Sequence, residues 1–188
     1  MSMRVGNFEK VSLEQFKEGV KRFTEDRLWT QVTSKLSDEE IEKYYNELKL
    51  PDRSTAGSAG YDFYFPFEKF NLQPKEPIVF PTGIKVNIIG DYFLGIFPKS
   101  GLSFDYKVRL DDTVAIVDAD YVQAPNEGHI YLKLTNENKH KVCMIHQNMK
   151  IVQGIFIPFA LTYDDTVVTR RTGGMGHSDS TVELSSTV

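Results

Sequence analysis

Gly128-His-Ile-Tyr-Leu-Lys-Leu-Thr135 decides the fold class. Ile130, Leu132 and Leu134 fall on one side of an extended chain, and His129, Tyr131, Lys133 and Thr135 fall on the other. A period of two predicts a strand with one face toward a core. The same pattern repeats outward. Residues 78–89, 92–97, 113–117, 141–145 and 151–159 are further strand candidates, separated by turn residues such as Pro81-Thr-Gly83 and Gly90-Asp91. Many short strands at this spacing predict a mainly β architecture, a sandwich or barrel, from about Tyr61 onward, where helical stretches vanish.

Residues 1–50 read as a helical N-terminal extension. Ser12 followed by Gln15 has capping-box spacing, and Leu13, Phe16, Val20 and Phe23 then recur on one face. Ser37 with Glu40 caps a second helix whose apolar stripe is Ile41, Tyr45 and Leu48, and Pro51 stops it. Neither helix carries a chemical signature, so packing against the body of the protein or a neighbouring subunit is the expected role. Residues 51–169 form the β domain. Residues 170–188 are rich in Gly, Ser and Thr with almost no apolar periodicity, which predicts a flexible C-terminal arm.

Composition narrows the function classes. The chain of 188 residues has 22 Lys and Arg against 26 Asp and Glu, a net charge of −4, with the positive residues scattered. Such a balance gives no footprint for a polyanion, so nucleic acid is not an expected partner, while a single nucleotide stays open. With 40% hydrophobic and 12% aromatic residues the chain has material for a core. A lone Cys143 closes no intrachain disulfide, and the opening MSMRVGNFEK has no apolar core of the kind a secretory signal needs. The apolar runs fall far short of the roughly 20 residues that span a bilayer. A cytoplasmic protein without a membrane partner is expected.

The P-loop, thiolate-zinc, zincin and serine-hydrolase motifs are absent from the sequence. Polar islands at strand ends, three of them containing glycine, take their place: Ser58-Ala-Gly-Tyr-Asp62, Pro98-Lys-Ser-Gly-Leu102, Val117-Asp-Ala-Asp-Tyr121, Lys150-Ile-Val-Gln153 and Arg171-Thr-Gly-Gly-Met-Gly176. Singly, each reads as a turn, a solvated strand end or a linker. In order and approximate spacing, the set resembles the five motifs of the trimeric dUTP diphosphatase (dUTPase) family over about residues 50–179, in a bacterial or phage type with a helical front.

The resemblance implies a dUTPase-like jelly-roll or β-clip barrel with short N-terminal helices, assembled as a homotrimer, that hydrolyses dUTP to dUMP and pyrophosphate. It assigns Asp118 as the base that activates water for attack on the α-phosphate, chemistry for which a carboxylate on a rigid strand is suited. Tyr121, in what would be a β-hairpin, is implied to pack against the deoxyribose and exclude a 2′-hydroxyl. Lys99, Ser100, Gly101 and Gln153 are implied phosphate binders. Asp62 is implied to meet Mg²⁺ through water, the ion itself being held by phosphate oxygens and water. The glycine-rich tail is implied to close over the nucleotide, with Arg170 or Arg171 on the phosphates and Met175 over the base.

The chain departs from the family pattern in places. Lys99 stands where Arg is common, Met175 where Phe is usual, and His177-Ser178-Asp179 where Ser-Thr-Gly is usual. Asp112 occupies a position where many members have an Asn close to the base. Two other readings follow from these departures: a non-catalytic or regulatory nucleotide-binding homologue, and a dCTP-directed enzyme. Deamination of dCTP is disfavoured by Lys133, where the deaminases use a Glu.

Overall fold

Ile130, Leu132 and Leu134 are buried as the alternation requires, and Lys133 between them is exposed. In the computed structural model, which describes residues 3–24, 36–169, 171 and 173, this stretch is strand β9 (Tyr131–Asn136). It is the middle strand of a three-stranded antiparallel sheet, between β4 (Pro77–Pro81) and β7 (Val108–Leu110). His129 departs from the pattern. It precedes the strand and is fully buried, because a helix from the front of the chain covers it.

A four-stranded antiparallel sheet has the order β2 (Tyr61–Tyr64), β11 (Lys150–Pro158), β6 (Tyr92–Pro98) and β8 (Ala115–Val117). Two strand pairs complete the mainly β, jelly-roll-like fold: β3 (Lys69–Leu72) with β10 (Cys143–His146), and β1 (Gly6–Lys10) with β5 (Ile84–Ile88). The expected strand over 78–89 is two strands, β4 and β5, broken at Thr82-Gly83, where Gly83 has φ of +73°. Phe63, Phe65, Phe67, Ile78, Phe80, Leu94, Ile96, Leu132, Leu134 and Ile145 fill the space between the sheets.

Helix α1 (Leu13–Thr24) lays Phe16 and Val20 into this core. Its cap is only half the expected box. Ser12 Oγ accepts from Gln15 N at 3.1 Å, but the Ser12 amide is satisfied by Glu127, which is remote in sequence. The Phe23 side chain lies outside the described residues. In α2 (Asp38–Glu47) both halves of the Ser37/Glu40 box are present, and Ile41 is its buried residue.

Two sequence readings need correction. The first fifty residues are not helix alone: β1 precedes α1 and extends the body by pairing with β5, with Phe8 packed edge-on against Phe63. Helices also do not end at Tyr61. The short helix α3 (Ser100–Tyr106) follows β6, because Leu102 anchors it in the core and Lys107, at φ of +55°, ends it. No helix among the described residues is long and apolar enough to cross a membrane. Apart from Arg171 and Gly173, the arm over 170–188 lies outside the described residues, as do Arg170 and Met175.

Candidate active site

The residues singled out from the sequence gather in two groups. The first is built where β11 lies between β2 and β6, so that Asp62 and Phe97 both pair with Gln153. Strand alternation puts Asp62 on the face opposite Tyr61 and Phe63. Lys99 arrives from the end of β6 and Lys150 from the start of β11. Lys150 Nζ lies 2.8 Å from Asp62 Oδ2, Lys99 Nζ donates to Oδ1, and Ser54 Oγ donates to Oδ2 at 2.8 Å. Gln153 Nε2 donates to the carbonyl of Pro98 at 3.3 Å.

Burial raises the Asp62 pKa, but hydrogen bonds from Lys150, Lys99 and Ser54 outweigh it and hold the carboxyl below its ordinary value. The Lys150 ammonium is raised in turn, chiefly by its hydrogen bond to Asp62. Sequence reasoning missed Lys150 and Ser54 as site residues. Lys150 opens the fourth island, so its position in the motif was the available signal; nothing in the sequence marked Ser54.

The donor set bears on magnesium. Asp62 is 2% exposed and its oxygens are occupied by two ammonium groups and a hydroxyl. Among the described residues, no group of three or more His, Cys, Asp or Glu converges to hold a metal ion. These residues do not fit an ion held directly by the protein, and three of the roughly four acceptor sites of Asp62 are taken by Lys99, Lys150 and Ser54. The reason is geometric: the lysines at the ends of two adjacent strands close over the carboxylate.

The second group sits at the end of β8. Asp118 follows Val117 and precedes a 3₁₀ turn (Ala119–Gln123) that carries Asp120 and Tyr121. Arg171 clamps both acids, with Nη2 2.6 Å from Asp118 Oδ2 and Nε 3.1 Å from Asp120 Oδ1. Its guanidinium also lies 5.5 Å from the centroid of the Tyr121 ring. Tyr121 is 3% exposed. Its hydroxyl donates to the His129 carbonyl at 2.9 Å and accepts from Asn126 Nδ2 at 2.8 Å. Asp120 is a third residue missed, hidden because its pairing depends on Arg171 reaching back across the chain.

The hairpin expected around Tyr121 is absent. Strand β8 pairs with β6, and β9 pairs with β4 and β7, so the strands flanking the loop belong to different sheets. The 3₁₀ turn takes the hairpin's place, closed by Tyr121 N to Asp118 O at 3.1 Å and Ala124 N to Tyr121 O at 3.0 Å. Ser100 and Gly101 are the exposed first residues of α3 rather than a tight turn, and a helix start leaves backbone N–H groups without intrahelical partners. Asp112 is exposed in the turn before β8, next to Thr113 at φ of +62°.

The dUTPase family model matches residues 46–179. The deoxyuridine 5'-triphosphate nucleotidohydrolase of Lactococcus lactis subsp. lactis is 33% identical over 142 residues, 73% of this chain and 93% of that protein. Its counterpart in Mannheimia succiniciproducens is 33% identical over 140 residues, 71% and 89% of the two chains. The crystal structure of dUTPase from Streptococcus mutans superposes with a TM-score of 0.56 at 32% identity, over 62% of this chain and 90% of that one. A mutant dUTPase from phage phi11 of S. aureus, described with a structural Mg(II) ion, shares the fold at a TM-score of 0.52 and 18% identity, over 64% and 90% of the chains. With the family model spanning most of its length and a relative 33% identical over 73% of it, this chain belongs to the dUTPase family.

Proposed function

We propose that the chain hydrolyses dUTP to dUMP and pyrophosphate. The observation that carries this reading is Asp118, a carboxylate fixed at a strand end whose side chain is 50% exposed and whose only close cation among the described residues is the arm's Arg171. A base needs that combination of fixed geometry and room for a water. Asp118 takes a proton from the water as its oxygen attacks the α-phosphorus. The bond from that phosphorus to the oxygen bridging to the β-phosphate breaks, and pyrophosphate leaves with the electron pair.

The other residues supply position and charge. Lys99, Lys150 and Gln153 present donors beside the start of α3, where Ser100 and Gly101 offer backbone N–H groups to phosphate oxygens. A Cβ added at Gly101 would meet nothing in this chain, so its own packing does not demand glycine there, whereas a closely approaching phosphate would. Magnesium travels with the triphosphate, held by its oxygens and water. The nucleotide takes over the face of Tyr121 that Arg171 covers here. Residues 170–188 then close over it, with Arg170 or Arg171 on the phosphates and Met175 on the base.

The two groups lie at separate strand ends of one chain, which supports a homotrimer whose sites draw on more than one subunit; the cytoplasm is the expected compartment. Purified protein incubated with dUTP should yield dUMP and pyrophosphate in equal amounts. Release of single phosphate, or no release with nucleotide bound, would overturn the reading. Light scattering reporting a monomer with full activity would remove the trimer.

A further inference from the structure

The turn after Tyr121 connects the nucleotide site to the front of the chain. The Tyr121 hydroxyl is held from two sides, by the His129 carbonyl and by Asn126 Nδ2. Asn126 is fixed in turn: its Oδ1 accepts from Gly128 N at 3.3 Å and its carbonyl from His129 N at 2.9 Å. Gly128, at φ of +72°, brings the turn so close to the 3₁₀ segment that an added Cβ would lie 2.7 Å from Val122 Cα.

Helix α1 grips this turn at two points. At its cap, Glu127 Oε1 accepts from Ser12 Oγ at 2.5 Å and Oε2 from Ser12 N at 3.0 Å, with Lys85 Nζ 3.4 Å from Oε2. Further along, the His129 ring lies 6.2 Å from the Phe16 ring, and a Cβ added at Gly19 would come 2.8 Å from His129 Cε1. From the other side His129 Nε2 accepts the Gly83 amide at 2.9 Å.

We propose that Asn126 and Glu127 are positioning residues for sugar selectivity, and that the front helix braces the turn that holds the Tyr121 ring in place. The proposal rests on the reading that Tyr121 packs against the sugar. Its physical basis is that an apolar wall discriminates weakly against an added hydroxyl, by about 100-fold, and then only if the wall does not yield. A ring free to move by about 1 Å loses that discrimination. Tyr121 bears no charge to recognise the sugar; its selectivity is its position, and that position is set by the hydroxyl bonds and the helix behind them.

The test uses the full chain and reads the ratio of kcat/KM for dUTP to that for UTP. Asn126→Ala, Glu127→Ala and Ser12→Ala should each lower this ratio by about tenfold, while Ser12→Thr, which keeps the hydroxyl, should retain it. A role in folding alone would lower both rates together and leave the ratio at the wild-type value, which would overturn the proposal. Tyr121→Ala separates the two layers of the argument. If it collapses the ratio while the three alanine variants do not, the brace is refuted and the reading of Tyr121 stands; if it leaves the ratio unchanged, that reading fails and takes the brace with it.

Discussion

Asp62 and Asp118 both sit at sheet ends beside a cation, yet one side chain is 2% exposed and the other 50%. Asp62 is surrounded by two lysines and a serine. Asp118 shares one arginine with Asp120, and that arginine comes from the arm. A buried acid with three donors on its oxygens ties together the strands that supply them. A half-exposed acid with a single charged partner has room beside it for a water. Burial and partner number, rather than residue type, set the two aspartates apart.

The sharpest way to break this contrast is to neutralise each acid in turn. Asp118→Asn should lower turnover of dUTP by about 10²–10⁴ while nucleotide binding and fold persist. Turnover left at the wild-type level would remove Asp118 as the base. Asp62→Asn should act on stability instead. It leaves two ammonium groups facing each other, at a cost of about 3 kcal/mol in chemical denaturation, the low end for a broken buried pair because the lysine side chains keep 28% and 38% of their exposure. An Asp62→Asn protein as stable as wild type would show that the cluster anchors nothing.

Acid sharpens the same comparison. The depressed pKa of Asp62 means that its contribution is complete above the ordinary 3.8 and is lost only as pH falls through the lower, folded value. Behind Tyr121, burial pushes His129 down to about 3 from an ordinary 6.5, so the unfolded chain binds a proton there that the folded chain refuses. Stability should therefore fall as pH drops below 6.5, by about 2 kcal/mol at pH 5 at fixed protein concentration. His129→Gln, whose amide oxygen can still accept from Gly83, should flatten the profile over that window. A wild-type profile flat from pH 7 to 5 would mean that His129 is not held neutral.

The smallest effect is expected at Asp112, which is exposed in the turn before β8. An ionised carboxylate only accepts hydrogen bonds and would disfavour uracil if it faced the base. Exposed before β8, it should not, so Asp112→Asn should change the preference for dUTP over dCTP by less than tenfold, under about 1.4 kcal/mol. A wild-type preference for dCTP that the substitution reverses would place Asp112 in the site.

Strands with a clear period of two, such as the one carrying Leu132 and Leu134, were legible because their pattern is a direct image of the buried face. Gly6-Asn-Phe-Glu-Lys10 was not, since Phe8 is its one apolar side chain and the strand exists through its pairing with β5. Helix α3 was masked by Pro98-Lys-Ser-Gly, a stretch with turn chemistry that becomes helical because Leu102 is buried. In the site, Asp62, Lys99, Gln153, Asp118 and Tyr121 could be named from their islands, but their partners could not. That Lys150 closes over Asp62 and Glu127 caps α1 depends on side chains meeting across sheets, a relation that local spacing does not encode.

The position of β11 has a consequence for biosynthesis. It is the last strand of the described chain, yet it is inserted between β2 and β6. While the ribosome makes the segment from Pro98 to Lys150, those two strands wait with open edges, for about 3–10 s at ordinary translation rates. Open edges recruit other chains. A nascent chain stalled before Lys150 should therefore be a ready substrate for chaperones, and messages truncated there should yield inclusion bodies rather than a smaller soluble protein.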